Sequence, residues 1–345
     1  MRKFEGSSYD SPGSFALIEA PVPVPSTGEI RIRVEATALG FVDGLIVRGR
    51  YQIKPPLPYV PGGEIAGVVD AIGPGVADPS VGDRVATWQL GGGLAEYVVV
   101  RAGDVDRVPG GLDLASAAAM LVDYQTASYA LFERAKVRSG ETVLVLGAAG
   151  GVGSAAVQLA ARAGAYVIAA ASSEQKREAA RRLGASATVD YGREDVRSEI
   201  KAKAPGGAVD VVFDPVGGAM TEPMFRSLAQ GGRHLVVGFT AGRIPALPTN
   251  LALLKDAALV GVELRHFVTA RPDEARRARM SLFERVASGA LAKPRMAAFP
   301  LERAGEALAT TLRREKSGKV VVLPRAPWPA LQPGGWGAAP TSSGG

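Results

Sequence analysis

The pattern of apolar and polar positions divides the chain into two parts with different periods. In the first part, residues 29–36 alternate charged and apolar side chains, a period of two that is typical of half-buried strands. Similar short segments at residues 64–73, 83–87 and 95–100 are separated by glycine and proline turns. The pattern predicts a compact β-rich, barrel-like domain over residues 1–122.

From residue 123 onwards, segments typical of helices and strands alternate, which predicts a doubly wound parallel sheet over residues 123–265. The strands are expected at residues 142–146, 166–170, 187–189, 209–213 and 233–237. The helices are expected at residues 125–135, 174–183, 196–203 and 221–228, and one more directly after the glycine-rich turn that follows the first strand.

The last part of the chain contains an arginine-rich helix at residues 272–288, a helix at 302–314 and a strand at 319–323. We expect residues 266–324 to fold back onto the first domain. Residues 325–345 are rich in Pro, Gly, Ala and Ser, which predicts a disordered tail.

The most specific motif follows the first strand of the second part. It has the pattern Ala148-x-Gly150-x-x-Gly153, with Ala at the usual position of the first glycine and with Gly151 and Val152 inside the turn. Small residues let the backbone approach a pyrophosphate, and the N-terminus of the next helix presents free N–H groups to it. The motif predicts a dinucleotide site; the alternative is a tight turn without a ligand.

The end of the following strand indicates which dinucleotide binds. Ser172 and Ser173 stand where an acidic residue would bind the ribose 2′-hydroxyl of NAD, and Lys176 and Arg177 come shortly after them. Hydroxyls and cations suit a 2′-phosphate. The segment therefore favours NADPH over NADH, the alternative being that Lys176 is a solvated helix position.

Composition narrows the chemistry further. The 345 residues are 47% hydrophobic and 21% charged, as in a soluble globular enzyme. The absence of cysteine excludes disulfides and thiolate metal sites, and with only two histidines we expect no metal.

The net charge is +6, but acidic residues are interleaved with the basic ones, so we expect no nucleic-acid site. No apolar run is long enough for a membrane span and no signal peptide is evident, which predicts a cytoplasmic protein.

In their order and spacing, several segments resemble the medium-chain dehydrogenase/reductase superfamily, specifically its zinc-free quinone oxidoreductase (zeta-crystallin-like) branch. The segments are residues 38–43, 48–51, 61–69, 82–85, 140–153, 214–218, 235–239 and 318–322. The resemblance implies a GroES-like catalytic domain and a Rossmann domain with the active site in the cleft between them. It also implies a homodimer formed through the strand near residues 258–263. Zinc-dependent relatives carry Cys and His where this chain has Gly40 and Gly63.

The resemblance also assigns residues to the coenzyme. It places Lys176 and Tyr191 near the 2′-phosphate and Tyr129 near the other phosphates. Other assigned positions are Gly238, Phe239 and Thr240 beside the nicotinamide, and Lys319 near the end of the chain. Two departures are Gly40, where many quinone reductases carry Asn, and Pro215, where Ser is frequent.

For the substrate, the resemblance singles out Tyr51, which matches a tyrosine near the substrate of enoyl reductases. We expect Tyr51 either to donate a proton or bind an enolate, or to form a pocket wall. Phe41, Trp88 and Phe267 either line an apolar pocket or belong to the core. Asp43 either orients Tyr51 or caps a helix, and we favour the cap.

The implied reaction is hydride transfer from NADPH to a quinone or to the C=C bond of an α,β-unsaturated carbonyl compound. Two alternatives stay open: an enoyl reductase that acts on a polyketide-type intermediate, and a non-catalytic NADPH-binding protein with a structural or RNA-binding role. Alcohol dehydrogenation fits poorly, because no metal is expected to polarise the alkoxide.

Overall fold

The computed structural model describes residues 1–9 and 12–325, which divide into two compact units. Unit 1 comprises Met1–Val122 and the chain from Phe283 onwards, and unit 2 comprises Asp123–Leu282. The predicted tail lies outside the described residues except for its first residue.

The strands, in chain order, are β1 Arg2–Gly6, β2 Phe15–Glu19, β3 Glu29–Leu39, β4 Glu64–Ile72, β5 Arg84–Trp88, β6 Tyr97–Arg101, β7 Asp106–Arg107, β8 Thr142–Val145, β9 Tyr166–Ala170, β10 Ala187–Val189, β11 Val209–Asp214, β12 Leu228–Val236, β13 Ala258–Gly261, β14 Met296–Pro300 and β15 Lys319–Leu323.

The α-helices are α1 Phe41–Ile46, α2 Leu114–Met120, α3 Asp123–Ser128, α4 Gly151–Arg162, α5 Glu174–Arg182, α6 Val196–Lys203, α7 Thr221–Phe225, α8 Asn250–Lys255, α9 Leu264–Ala270, α10 Pro272–Ala287 and α11 Ala304–Thr311. In the described part of the chain, no helix combines the length and apolar character that a bilayer span requires.

Unit 1 contains a sheet of order β14-β15-β3-β4-β5-β7, in which β6 also pairs with β3. The alternation predicted in β3 is confirmed, because Ile30, Ile32 and Val34 are fully buried while the charged residues between them are half-buried. The β1–β2 hairpin forms a separate two-stranded sheet that the sequence analysis did not predict.

Unit 2 is built around a six-stranded parallel sheet of order β10-β9-β8-β11-β12-β13. Counted along the chain, this is the 3-2-1-4-5-6 order of a Rossmann domain, which confirms the predicted fold class. The order reverses between β8 and β11, and ligands of such sheets bind at the carboxyl ends of the strands at this point.

The structure differs from the sequence reading where the chain passes back from unit 2 to unit 1. Residues 266–282 were expected to leave the Rossmann domain, but they are grouped with unit 2. The physical reason is their packing: Phe267 stacks on Tyr129, and the Gln125 side chain donates a hydrogen bond to the Ala275 carbonyl (2.8 Å).

Three predicted helices differ from the observed ones by two or more residues at one or both ends. The helix expected at residues 221–228 ends at Phe225, because Leu228 already pairs with Val209 in the parallel sheet. The helix expected at 125–135 begins at Asp123 and continues as a π-helix, Tyr129–Arg134. The helix expected at 302–314 begins with a 3-10 turn and ends at Thr311.

Candidate functional site

The glycine turn after β8 has the geometry of a phosphate-binding loop. Gly147 adopts a left-handed conformation (φ +58°), and its carbonyl accepts a hydrogen bond from the N–H of Gly150 (2.9 Å), the N-cap of α4. The sequence predicts a motif that begins at Ala148, but the tight turn is made one position earlier. Ala148 is buried, and its N–H donates to the Ala170 carbonyl of β9 (3.1 Å). The spacing Gly147-x-x-Gly150-x-x-Gly153 was the signal that could have shown this.

The third glycine brings α4 against the turn. A β-carbon at Gly153 would overlap with the carbonyl oxygen of Gly147, and one at Gly150 would lie only 3.3 Å from the same oxygen. The first turn of α4 is therefore held next to the carboxyl end of β8. This close packing of helix and turn fits a dinucleotide pyrophosphate at the helix N-terminus.

Beyond β9, the two basic residues of the predicted 2′-phosphate site have different environments. Arg177 is bound by protein groups: its guanidinium contacts Asp190 (2.8 Å), Glu174 (2.9 Å) and the Ala171 carbonyl (3.1 Å). Burial opposes the charged form of Arg177, but the two carboxylates outweigh this effect and raise its pKa. Arg177 thus fixes the local fold through its contacts with these protein groups.

The structure also locates the other residues that are predicted for the 2′-phosphate site. Ser173 is the N-cap of α5, where its hydroxyl accepts a hydrogen bond from the Lys176 N–H (3.3 Å), and Ser172 is exposed. Tyr191 follows Asp190 directly and packs, half-buried, against the core of unit 2. Ser172 and Ser173 stand directly after β9, and the nearby carboxylates of Glu174 and Asp190 are both paired with Arg177.

The end of β11 carries a buried carboxylate that the sequence analysis did not single out. Asp214 Oδ1 accepts hydrogen bonds from the N–H groups of Val216 and Gly217 (both 2.8 Å), and Oδ2 accepts one from the Thr221 hydroxyl (3.0 Å). Oδ2 also lies 3.1 Å from Nε2 of His234 on β12. Burial opposes ionisation, but the contacts with His234 and Gly217 prevail and lower the pKa of Asp214.

The loop after β12 is hydrogen-bonded to the turn after β11, whose N–H groups donate to the Asp214 carboxylate. The Thr240 N–H and hydroxyl both donate to the Pro215 carbonyl (3.2 and 3.1 Å), and the Gly238 N–H donates to the Asp214 carbonyl (3.3 Å). A β-carbon at Gly217 would lie 2.7 Å from the ring of Phe239. Gly238, Phe239 and Thr240 therefore form one hydrogen-bonded layer with the turn after β11.

This layer adjoins the glycine turn. A β-carbon at Gly147 would lie 3.3 Å from Cγ2 of Val216. The structure thus brings the motif after β8 together with the loops after β11 and β12, which lie at the carboxyl ends of adjacent strands.

Replacing Asp214 by Asn should lower the free energy of unfolding by about 1–3 kcal/mol, because the amide nitrogen is a donor where the carboxylate accepts. The pKa of Asp214 is lowered in the folded protein, so its ionised form stabilises the fold above the ordinary value of about 4 and loses this contribution as the pH falls further. Urea unfolding of both proteins measures the effect. We expect the difference to be full at pH 7 and to shrink below about pH 4; a difference independent of pH would contradict the role of the charge.

Two aromatic residues of the predicted site lie in the core of unit 2. The rings of Tyr129 and Phe267 stack with centroids 4.4 Å apart, and both side chains are buried. The guanidinium of Arg271 lies 4.8 Å from the centroid of Phe267. Phe267 therefore takes the core position that the sequence analysis left open, not an exposed pocket wall.

Unit 1 contains a buried ion pair that involves a residue predicted to bind coenzyme. Lys319 Nζ lies 2.7 Å from Glu64 Oε1, with both side chains at most 4% exposed. The second carboxylate oxygen of Glu64 accepts a hydrogen bond from the Val122 N–H (3.1 Å). The charge of Lys319 is thus balanced within unit 1.

Asp43 lies beside this pair as the cap of α1. Its carboxylate accepts hydrogen bonds from the N–H groups of Gly40 (2.7 Å) and Gly62 (3.2 Å). Burial raises the pKa of Asp43, against the opposite effects of these donors and of Lys319. A β-carbon at Gly40 would lie 3.7 Å from the carboxylates of Asp43 and Glu64 and 3.9 Å from Lys319 Nζ. Gly40 therefore leaves room for a small group among three charged side chains.

The remaining predicted substrate residues are half-buried. Trp88 pairs with Glu64 across the β4–β5 ladder, Phe41 begins α1, and Tyr51 packs against the apolar core of unit 1. Trp88 therefore lies opposite Glu64 by register, and Phe41 follows Gly40 in the chain. Within residues 1–9 and 12–325, no group of three or more His, Asp or Glu side chains is placed to hold a metal ion.

Comparison with known proteins identifies the family. Residues 26–110 match the alcohol dehydrogenase GroES-like domain, and residues 151–279 match the zinc-binding dehydrogenase domain. A quinone oxidoreductase-like protein 2 homolog from Nematostella vectensis is 35% identical over 298 residues, covering 86% of this chain and 82% of that protein. The chain belongs to the quinone oxidoreductase branch of the medium-chain dehydrogenases/reductases. The resemblance seen in the sequence is confirmed, and the protein is an oxidoreductase of this family.

Solved structures and one further relative extend the comparison. Escherichia coli quinone oxidoreductase complexed with NADPH has a TM-score of 0.86 at 27% identity, covering 94% of this chain and 100% of that one. The CurK enoyl reductase has a TM-score of 0.83 at 27% identity and covers 93% and 98%. A mycocerosic acid synthase-like polyketide synthase of Mycobacterium tuberculosis is 32% identical over 302 residues, which are 86% of this chain but 14% of the synthase.

Proposed function

We propose that the protein transfers a hydride from NADPH to a quinone or to the C=C bond of an α,β-unsaturated carbonyl compound. The observation that carries this proposal is the tight glycine turn after β8 together with the segment after β9. In that segment Lys176 follows Ser172 and Ser173, and the nearby carboxylates are paired with Arg177. The E. coli structure complexed with NADPH supports the choice of coenzyme.

Each part of unit 2 has a separate task in this proposal. The first turn of α4 binds the pyrophosphate, and Lys176, with the hydroxyls before it and Tyr191, binds the 2′-phosphate. The hydrogen-bonded layer of residues 214–217 and 238–241 orients the nicotinamide ring. The bound coenzyme supplies the hydride, so the protein contributes binding, orientation and electrostatics.

Lys176→Ala should raise the KM for NADPH about 10- to 100-fold, because one charge-assisted hydrogen bond to the 2′-phosphate is lost. The KM for NADH should not change, since NADH has no phosphate at this position. Arg182→Ala is the matched control, because Arg182 is a largely exposed cation near the end of the same helix. Equal effects on NADPH and NADH would contradict the assignment of Lys176.

In the reduction of an enone, negative charge develops on the carbonyl oxygen and the α-carbon then takes up a proton. We assign Tyr51 to one of these two steps. With Tyr51→Phe, enone reduction should slow about 10- to 100-fold in kcat while quinone reduction is unchanged. Initial rates of NADPH oxidation on matched sets of quinones and enones measure this, and an equal loss on both sets would instead indicate a pocket-wall role.

An enoyl reductase for a polyketide-type intermediate is the second candidate. The similarity to the CurK enoyl reductase and to part of a mycobacterial polyketide synthase favours it. Thioesters of α,β-unsaturated acids, included among the acceptors, separate this candidate from a quinone reductase. NADPH binding without turnover on any acceptor would support the non-catalytic alternative.

We also propose a homodimer that forms through β13. This strand is the last in the sheet order, and its Leu259 side chain is 51% exposed. An unpaired strand edge of this kind is a template for pairing with a second chain. Solution mass measured by light scattering tests the proposal, and a monomer at all concentrations would contradict it.

A further inference from the structure

A carboxylate of unit 2 lies against the helix end that we assign to the coenzyme pyrophosphate. Asp123 is the first residue of α3, and its half-buried side chain reaches Gly151, the first residue of α4. A β-carbon at Gly151 would overlap with Asp123 Oδ2 and would lie 2.8 Å from its Cγ. The second glycine of the Gly150-Gly151 pair therefore makes room for a protein carboxylate.

The position of this carboxylate has two electrostatic consequences. The N-terminus of a helix carries a partial positive charge, so an anionic side chain next to the first turn of α4 stabilises the helix in the absence of coenzyme. A pyrophosphate that binds at the same turn brings further negative charge close to Asp123. Like charges a few ångströms apart repel each other, and the repulsion is strong where water is partly excluded.

We propose that the negative charge of Asp123 weakens the binding of the NADPH pyrophosphate at the first turn of α4 and so sets the affinity for the coenzyme. The inference rests on the proposed function. Lys176 and the hydroxyls beside it attract the coenzyme at its 2′-phosphate, whereas Asp123 opposes binding at the pyrophosphate. Its removal should therefore increase affinity, which is not expected for a purely structural residue.

Asp123→Asn tests the proposal, because the amide keeps the shape of the side chain and removes its charge. The Kd for NADPH, measured by fluorescence titration and calorimetry, should fall about tenfold at low salt, and the gain should shrink at about 0.5 M salt as the charges are screened. Adenosine 2′-monophosphate has no pyrophosphate, so its Kd should be equal in both proteins. Asp123→Ser provides the same comparison if the Asn variant does not fold.

Asp256→Asn is the matched control. Asp256 is an exposed residue that precedes β13, at the amino end of the sheet, and its left-handed conformation (φ +47°) is one that Asn tolerates. Asp256→Asn changes the net charge by the same amount as Asp123→Asn and should leave the Kd for NADPH unchanged. If Asp123→Asn binds NADPH with the wild-type affinity or more weakly, the inference is wrong although the proposed coenzyme stands. If no protein in the set binds NADPH, the proposed function itself fails.

Discussion

Replacing Lys319 by Met should lower the free energy of unfolding by about 3–5 kcal/mol, because it leaves the Glu64 carboxylate buried without its counter-charge. The two groups are 2.7 Å apart and at most 4% exposed. Removing an ion from water is costly, so a buried carboxylate is tolerated only while a partner charge and hydrogen bonds compensate for it. The hydrogen bond that Glu64 accepts from the Val122 N–H is with a neutral donor and does not replace an ammonium group. Urea denaturation at neutral pH measures the loss.

Two further variants test whether the loss of stability comes from the burial of this ion pair or would follow from the loss of any ion pair. Lys293→Met breaks an exposed ion pair with Asp113 in the same unit (2.8 Å, with 52% and 40% of the side chains exposed) and should cost less than about 1 kcal/mol. The double variant Glu64→Leu with Lys319→Met removes both charges and should recover most of the stability. Equal losses for Lys319→Met and Lys293→Met would show that the buried pair has no special role.

Gly153→Ala should weaken NADPH binding about 100-fold, because a displacement of about 1 Å in a binding site has effects of that order. The added β-carbon would overlap with the Gly147 carbonyl, so α4 must move away from the turn that positions the pyrophosphate. Titration with NADPH measures the loss. Gly206→Ala is the control in the same unit, since a β-carbon there meets no atom within 4 Å. Binding of NADPH to Gly153→Ala at wild-type affinity would show that the turn does not form the pyrophosphate site.

The sequence predicted those features that depend on local order. The alternation in β3, the succession of strands and helices from Thr142 onwards and the glycine spacing are each read from nearby residues. They sufficed for the fold class of both domains but not for the boundary after residue 265. The position of the tight turn relative to Ala148 is a matter of local conformation, which the φ of Gly147 shows directly and the spacing of Gly147, Gly150 and Gly153 only indicates.

The features that the sequence did not predict depend on contacts between distant residues. Lys319 and Glu64 are far apart in the chain, and nothing in either segment indicates that β15 and β4 present them to each other through β3. Arg177 looked equivalent to Lys176 until Asp190, after the next strand, was seen to bind it. The buried contact between Asp214 and His234 likewise requires the parallel pairing of β11 with β12.

Deuterium labelling tests hydride transfer most directly. NADPH is labelled with deuterium at C4 of the nicotinamide, once in each of the two stereochemical positions, and the label is then sought in the product. With an enone as acceptor, we expect label from one isomer alone at the β-carbon, detected by mass spectrometry. With a quinone, we expect the same isomer to slow the oxidation of NADPH. Reduced product without label from either isomer, or no oxidation of NADPH with any acceptor, would contradict the proposed function.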